Sequence, residues 1–203
     1  MRVFTFSPRD YFGSNMYIIE SDGFGAVIDP SFNYSEIEDF IKNNNIAIKY
    51  IILTHAHFDH ILELDAFKEH TSAEVVLGRE EVPALHDSNI NCYKLFFNKD
   101  KTYTGTYTTV KDGDLLELGK SQVRIIETPG HTAGSISLFI DGNLFVGDTV
   151  FAGNSIGRTD LPGGDIHKLY ISIDKISSFP TETVIYSGHG PKTTVKEIKS
   201  NFI

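Results

Sequence analysis

Three histidines and an aspartate fall within six residues in His55-Ala56-His57-Phe58-Asp59-His60. Imidazole and carboxylate are the side chains that bind zinc, iron and manganese. Three further candidates stand apart in the chain: His131 in Thr128-Pro129-Gly130-His131-Thr132, Asp148 in Phe145-Val146-Gly147-Asp148-Thr149, and His189 in Ser187-Gly188-His189-Gly190. Each follows a strand-like segment or sits in a glycine-containing turn. Glycine lets the backbone bend sharply, so a side chain there can project over the edge of a sheet. Seven such groups exceed what one tetrahedral ion takes; they suit two ions with three protein ligands each and one shared carboxylate. A lone surface histidine is ordinarily a solvated residue, but three in six residues directly behind a buried strand need another explanation. His70, His86 and His167 have no such context and are read as ordinary surface or helix residues. Asp29, in Ile28-Asp29-Pro30, is read first as a turn former, with an outer hydrogen bond to a ligand histidine as the alternative.

The elements that must carry these groups can be read in outline. Residues 3–6, 16–19 and 26–28 form short strand-like runs between turn signals. Apolar Ile37, Phe40 and Ile41 predict a helix over 35–42, capped by Tyr34 or Ser35 and ended by Asn43-Asn44-Asn45. The apolar run 50–53 predicts a strand buried on both faces, which delivers the chain into the histidine cluster. A helix over 61–69 and a strand over 74–77 follow. Residues 80–107 hold Tyr93, Phe96, Phe97, Tyr103 and Tyr107 at no steady period. That stretch reads as an irregular insertion, its aromatic residues assigned to core or subunit packing in preference to a wall of the site. Strands are predicted over 115–118, 122–127, 135–140, 144–146 and 183–186, with helices over 166–176 and 195–202. Two runs of strands, each followed by helices, favour a sheet-on-sheet core with outer helices, as one domain over 1–203.

Composition narrows the class. The chain has 203 residues, 40% hydrophobic and 22% charged, which is ordinary for a globular protein and not for a disordered one. Eighteen Lys and Arg against twenty-seven Asp and Glu give a net charge of −9. Nucleic acid and anionic membrane surfaces normally need a basic face, so neither is an expected partner. No stretch approaches 18 apolar residues and the first eight residues do not read as a signal peptide, which makes the cytoplasm the default location. Cys92 is the one cysteine, so an internal disulfide and a Cys-rich zinc site are both excluded; it is read as a bystander.

The order His-x-His-x-Asp-His, Gly-His, Gly-Asp, Gly-His resembles the metallo-β-lactamase superfamily over essentially the whole chain. Gly157-Arg158-Thr159-Asp160-Leu161-Pro162-Gly163-Gly164 and Gly188-His189-Gly190-Pro191-Lys192-Thr193-Thr194 resemble its glyoxalase II-like, or hydroxyacylglutathione hydrolase-like, branch. The resemblance implies an α/β fold, a four-layer αββα sandwich with a metal site along one edge. It implies two divalent metal ions, zinc foremost and iron or manganese as alternatives. Carried over by position, His55, His57 and His131 hold the first, Asp59, His60 and His189 the second, and Asp148 bridges them. One departure stands next to the motif: Ile61-Leu62-Glu63-Leu64 occupies the place where many relatives carry a glycine, which bears on the start of the next helix.

The reaction so implied is hydrolysis of a thioester by a hydroxide bridging two ions, with Asp59 also orienting the nucleophile. A thiolate with a thiol pKa of about 8.5 departs without a strong general acid. Arg158 is the candidate substrate contact, since a guanidinium suits a carboxylate, with pairing to Asp160 as the equal alternative. Fourteen residues follow His189, so the C-terminal helical domain with which glyoxalase II enzymes proper grip glutathione is not expected. The partner is therefore a small-molecule thioester on glutathione or another thiol carrier, and a homodimer is left open. The rival readings are a mononuclear iron persulfide dioxygenase using His55, His131 and Asp148, and a lactonase or other ester hydrolase.

Overall fold

The computed structural model describes residues 1–8, 13–153 and 155–202. Two six-stranded sheets dominate it. The first has the order β1 (Arg2–Phe6), β2 (Met16–Ser21), β3 (Phe24–Ile28), β4 (Ala47–Leu53), β5 (Glu74–Gly78), β6 (Thr108–Val110). The second contains β7 (Leu115–Leu118), β8 (Ser121–Glu127), β9 (Ile136–Ile140), β10 (Asn143–Gly147), β13 (Val184–Ser187) and β14 (Thr193–Thr194), in the spatial order β14-β13-β10-β9-β8-β7. A small ribbon of β11 (Val150–Phe151) and β12 (Ser155–Ile156) stands between β10 and β13 in sequence.

Alternation along the strands explains why the sheets stack as they do. Tyr17 and Ile19 of β2, Tyr50 and Ile52 of β4, and Phe145 of β10 all enter the cluster between the two sheets. Their neighbours Met16, Ile18, Ile51 and Leu53 face away, into a second cluster under α1 (Tyr34–Asn43), α2 (Leu64–His70) and α3 (Val82–His86). Leu144 and Val146 of β10 face a third cluster under α5 (Ile166–Ser177) and α6 (Val195–Phe202). Both faces of the central strands are therefore apolar, which is why their sequences read as continuous hydrophobic runs. The result is the αββα layering expected from the sequence. Among the described residues no helix is long and apolar enough to cross a membrane.

The short strands β6, β11, β12 and β14 are absent from the sequence reading, and local details differ from it in three further places. The first helix is capped by Asn33, whose side chain accepts from the Ser35 amide at 3.0 Å, and not by Tyr34 or Ser35. Tyr34 is instead buried, stacked on His70 and edge-on to Phe67. The second helix starts at Leu64, three residues later than expected, because a 3-10 turn over Phe58–His60 comes first and Ile61 leaves it at φ −124°. Residues 80–107 are more ordered than an irregular insertion. They contain a 3-10 turn over Arg79–Glu81, α3, and α4 (Tyr93–Phe97). Ser88 and Asn91 pin the segment by hydrogen bonds to the Lys101 backbone.

Candidate metal centre

All the candidate groups emerge at the C-terminal ends of strands. Strands β3 and β4 are parallel neighbours, and their ends are stitched together by Asp29. Its amide donates to the Ile52 carbonyl at 3.0 Å, and its Oδ1 accepts from the Thr54 amide at 2.7 Å. Asp29 holds a positive φ of 54°, so it is a turn former as well as a ligand-orienting group. From Thr54 the chain runs through His55 and His57, and the 3-10 turn presents Asp59 and His60. His131 lies in the loop from β8 to β9. Asp148 and His189 leave the adjacent parallel strands β10 and β13 at the same end of the second sheet.

The glycines before Asp148 and His189 are steric requirements. Gly147 sits at φ +51°, and a Cβ there would lie 2.4 Å from Thr54 Oγ1. A Cβ on Gly188 would lie 2.1 Å from Asp148 Oδ1 and 2.6 Å from His60 Cε1. Only a residue without a side chain lets these strands deliver their ligands this close to one another.

The seven side chains converge. His57 Nδ1 and His131 Nε2 lie 2.9 Å apart. His60 Nε2 is 3.4 Å from Asp148 Oδ1, while His131 Nε2 and His189 Nε2 are 3.6 and 3.5 Å from Asp148 Oδ2. Asp59 Oδ2 is 3.1 Å from His189 Nε2 and 3.6 Å from His60 Nε2. Three groupings could hold an ion: His55 with His57 and His131, His55 with His60 and Asp148, and Asp59 with His60 and His189.

Hydrogen bonds fix the ring orientations from behind. His60 Nδ1 donates to Asp29 Oδ2 at 2.8 Å, and His131 Nδ1 donates to the Arg158 carbonyl at 2.8 Å. Thr54 Oγ1 donates to Asp29 Oδ2 at 2.7 Å and can accept from His55 Nδ1 at 3.2 Å. With the Nδ1 protons so committed, the Nε2 lone pairs of His55, His60 and His131 face inward. Nε2 of His55, His57 and His60 and Oδ1 of Asp148 are buried with no hydrogen-bond partner among the described residues. An unpaired buried polar atom costs about 1–3 kcal/mol. His55 Nε2, His60 Nε2 and Asp148 Oδ1, gathered with His57 Nδ1 and a second carboxylate, are a donor set that fits divalent cations, which would satisfy them together.

Asp29→Asn is expected to weaken divalent-ion affinity by about 10–100-fold, the usual effect of losing a partner that orients a ligand. Competition against a chromophoric chelator measures this; an unchanged affinity would mean that Asp29 only shapes the turn.

The electrostatics point the same way. Burial lowers His55 well below the usual imidazole range, and burial together with His131 lowers His57 to about 3. Burial favours a neutral Asp148, yet His60 and His189 hold it well below the usual carboxylate range. Burial also opposes charge on His60 and His189. Asp59, Asp29 and Asp148 nevertheless raise His60 well above its ordinary value, and hydrogen bonds with Asp148 and Asp59 raise His189 to about 9. Without a cation, protons on these imidazoles balance the carboxylates. A metal ion must displace them, so its affinity rises with pH until His189 loses its proton near 9. We expect zinc affinity to gain at least about tenfold per pH unit between pH 6.5 and 8.5, one proton being released per ion at minimum. A flat chelator-competition profile across that range would contradict this.

The pocket above the ligands is a cavity of about 410 Å³ reached by His57, Asp59, His131, Asp148 and His189. The sequence profile described as Metallo-beta-lactamase superfamily matches residues 9–189. The chain belongs to that superfamily. It is 35% identical over 185 residues to "Probable metallo-hydrolase YqgX" of Bacillus subtilis strain 168, covering 90% of this chain and 87% of that one. It is 30% identical over 207 residues to hydroxyacylglutathione hydrolase GloC of Haemophilus influenzae, covering 96% and 94%. The crystal structure of the BLEG-1 B3 metallo-beta-lactamase superposes with a TM-score of 0.90 at 32% identity, covering 98% of this chain and 97% of that one. Some relatives are longer: the chain spans 45% of a beta-lactamase hydrolase-like protein of Agrobacterium fabrum. These likenesses make the protein a metallo-hydrolase of the superfamily, among whose relatives are hydroxyacylglutathione hydrolases.

In this superfamily member all seven sequence-predicted ligand positions meet at one edge of the sandwich. Arg158 lines the same pocket, with its guanidinium held by Asp160 through two 2.7 Å hydrogen bonds. Of the two sequence alternatives for Arg158, the pairing with Asp160 is present, and the residue also borders the pocket. Two readings change. Phe96, assigned to packing, is half exposed and lines the pocket. Cys92, set aside as a bystander, lines it too, at the strained start of α4 with a φ of 65°.

Two supporting residues escaped the sequence reading. Glu81 is buried, and its Oε2 accepts from Thr132 Oγ1 at 2.7 Å and the Gly134 amide at 3.1 Å, tying β5 to the loop that carries His131. Burial pushes its carboxyl above the usual range. Asn15 donates to the carbonyls of Ser187 and Gly190 at 3.0 and 2.9 Å and so clamps the turn that carries His189.

Proposed function

We propose that this protein is a binuclear metallohydrolase that cleaves thioesters, glyoxalase II-like in its chemistry. The observation that carries this reading is the Asp148 carboxylate, which lies 3.4 Å from His60, 3.6 Å from His131 and 3.5 Å from His189. It is therefore shared by both halves of the donor set. His55, His57 and His131 would hold one ion, Asp59, His60 and His189 a second, and Asp148 both. An imidazole and carboxylate set suits zinc, with iron and manganese accepted by the same donors. Bound there, divalent cations lower the pKa of water toward about 7 and polarise a carbonyl oxygen.

The chain's own residues supply the rest. Asp59 lines the pocket, and its carboxylate orients an incoming water by accepting a hydrogen bond. Phe58 and Phe151 flank the ligands and exclude bulk water. A departing thiolate asks for no strong acid, and no lysine borders the pocket to act as one. The likeness to GloC, a hydroxyacylglutathione hydrolase by name, supports the same reaction class.

The test is turnover by metal-loaded protein on S-lactoylglutathione, acyl-N-acetylcysteamines, simple lactones and β-lactams. We expect thioester hydrolysis that a chelator removes and added metal restores. Turnover confined to lactones or β-lactams would overturn the thioester reading.

A further inference from the structure

The candidate ligands account for only half of the pocket wall. The remainder is Phe58, Cys92, Phe96, Phe151, Leu161 and Arg158. Four of these six are aromatic or aliphatic. Phe58, the residue between His57 and Asp59, is 7% exposed and packs its ring 5.0 Å from Phe96 and 5.3 Å from Phe97. Phe151 lies across the site, its ring 6.2 Å from that of His189. Helix α4 buries none of its own residues, and Leu95 and Phe96 are 66% and 46% exposed. The core does not need Phe96 where it stands; the pocket is what its ring covers.

Arg158, the one cation among the described lining residues, is already paired. Arg158 Nε and Nη2 donate to the two carboxylate oxygens of Asp160, each at 2.7 Å, and this two-pronged pairing occupies one of the two guanidinium edges that can grip a carboxylate. Among the described residues, the lining side chains outside the candidate ligands therefore offer an anionic substrate no charge that lacks a counter-ion. The net charge of −9 adds a long-range field that discourages anions.

We propose that the site takes thioesters that are uncharged on both sides of the scissile bond and carry an apolar, ring-sized group, with Phe96 setting that preference. This rests on the thioester reading above and departs from it in the carrier: the thiol is a neutral one, not an anionic peptide such as glutathione. The apolar group packs against the exposed side of the Phe96 ring, beside Phe58, where added contact area is worth about 10–200-fold in discrimination.

Metal-loaded protein would be assayed on S-benzoyl-N-acetylcysteamine, S-acetyl-N-acetylcysteamine and S-benzoylglutathione. We expect kcat/KM for the first to exceed each of the others by at least about tenfold. Phe96→Ala is expected to lower kcat/KM for the benzoyl substrate about tenfold, chiefly through KM, and to lower it for the acetyl substrate by clearly less. Phe96→Tyr, which keeps the ring, retains the preference. Asp160→Asn frees Arg158 and is expected to raise kcat/KM for S-benzoylglutathione while leaving the neutral benzoyl substrate unchanged. S-benzoylglutathione preferred by the unmodified protein, or equal losses on both neutral substrates in Phe96→Ala, would overturn the proposal and leave thioester hydrolysis standing. No turnover of any of the three would overturn both.

Discussion

Asp148→Ala is expected to abolish turnover and to remove bound metal in the same step. Asp148 lies within 3.6 Å of ring nitrogens on His60, His131 and His189, which come from three different segments of the chain. No other carboxylate among the described residues approaches both His131 and His189 in this way. Its Oδ1 is buried without a hydrogen-bond partner, and in the metal-free protein its carboxylate is the counter-charge of His60 and His189, so its removal costs metal affinity and some stability together. Metal content is therefore expected to fall to one ion per chain or fewer, with hydrolysis reduced to background. The melting temperature of the metal-free protein should fall, because a buried charge pair is broken, while circular dichroism shows the fold retained. Full activity in this variant, or an unchanged metal content, would remove Asp148 from the site.

The second large effect is expected from a methyl group. In Gly188→Ala the new Cβ would come 2.1 Å from Asp148 Oδ1 and 2.6 Å from His60 Cε1, closer than any real contact. The backbone cannot easily yield, because the Gly188 amide donates to Gly147 at 2.8 Å and the Asn15 amide donates to Gly188 at 2.6 Å. The carboxylate and the imidazole must move instead. Overpacking of this kind costs about 1–3 kcal/mol in stability. Displacing reacting groups by about 1 Å costs roughly 100-fold in rate, so kcat should fall at least that far. Gly190→Ala is the control: its φ is +75°, yet nothing lies within 4 Å of the added Cβ. It should carry the backbone strain of about 1–2 kcal/mol and keep its activity. Equal activity losses in the two variants would show that the effect is strain and not intrusion on the ligands.

The seven candidate ligands were legible because each sits in a short local motif whose residue types have few other uses. His55, His57, Asp59 and His60 are contiguous, and glycines mark the approach to Asp148 and His189. The layered core was legible for a related reason: strands such as β4 and β10 bury both faces and read as unbroken apolar runs. Glu81 and Asn15 were not, because their partners lie 51 or more residues away and nothing local separates Glu81 from its exposed neighbour Glu80. The late start of α2 was also hidden. It follows from the 3-10 turn that presents Asp59 and His60, a feature of tertiary placement and not of helix propensity. The same holds for Phe96, whose apolar character reads as packing until α4 is seen to bury nothing.

Metal identity and stoichiometry tests the central claim most directly. The protein would be purified without added metal or chelator, under low oxygen, and its metals counted per chain. Two divalent ions per chain is the result expected of two three-residue clusters joined by Asp148. One iron per chain would contradict the binuclear account and would turn attention to oxygen consumption with a persulfide.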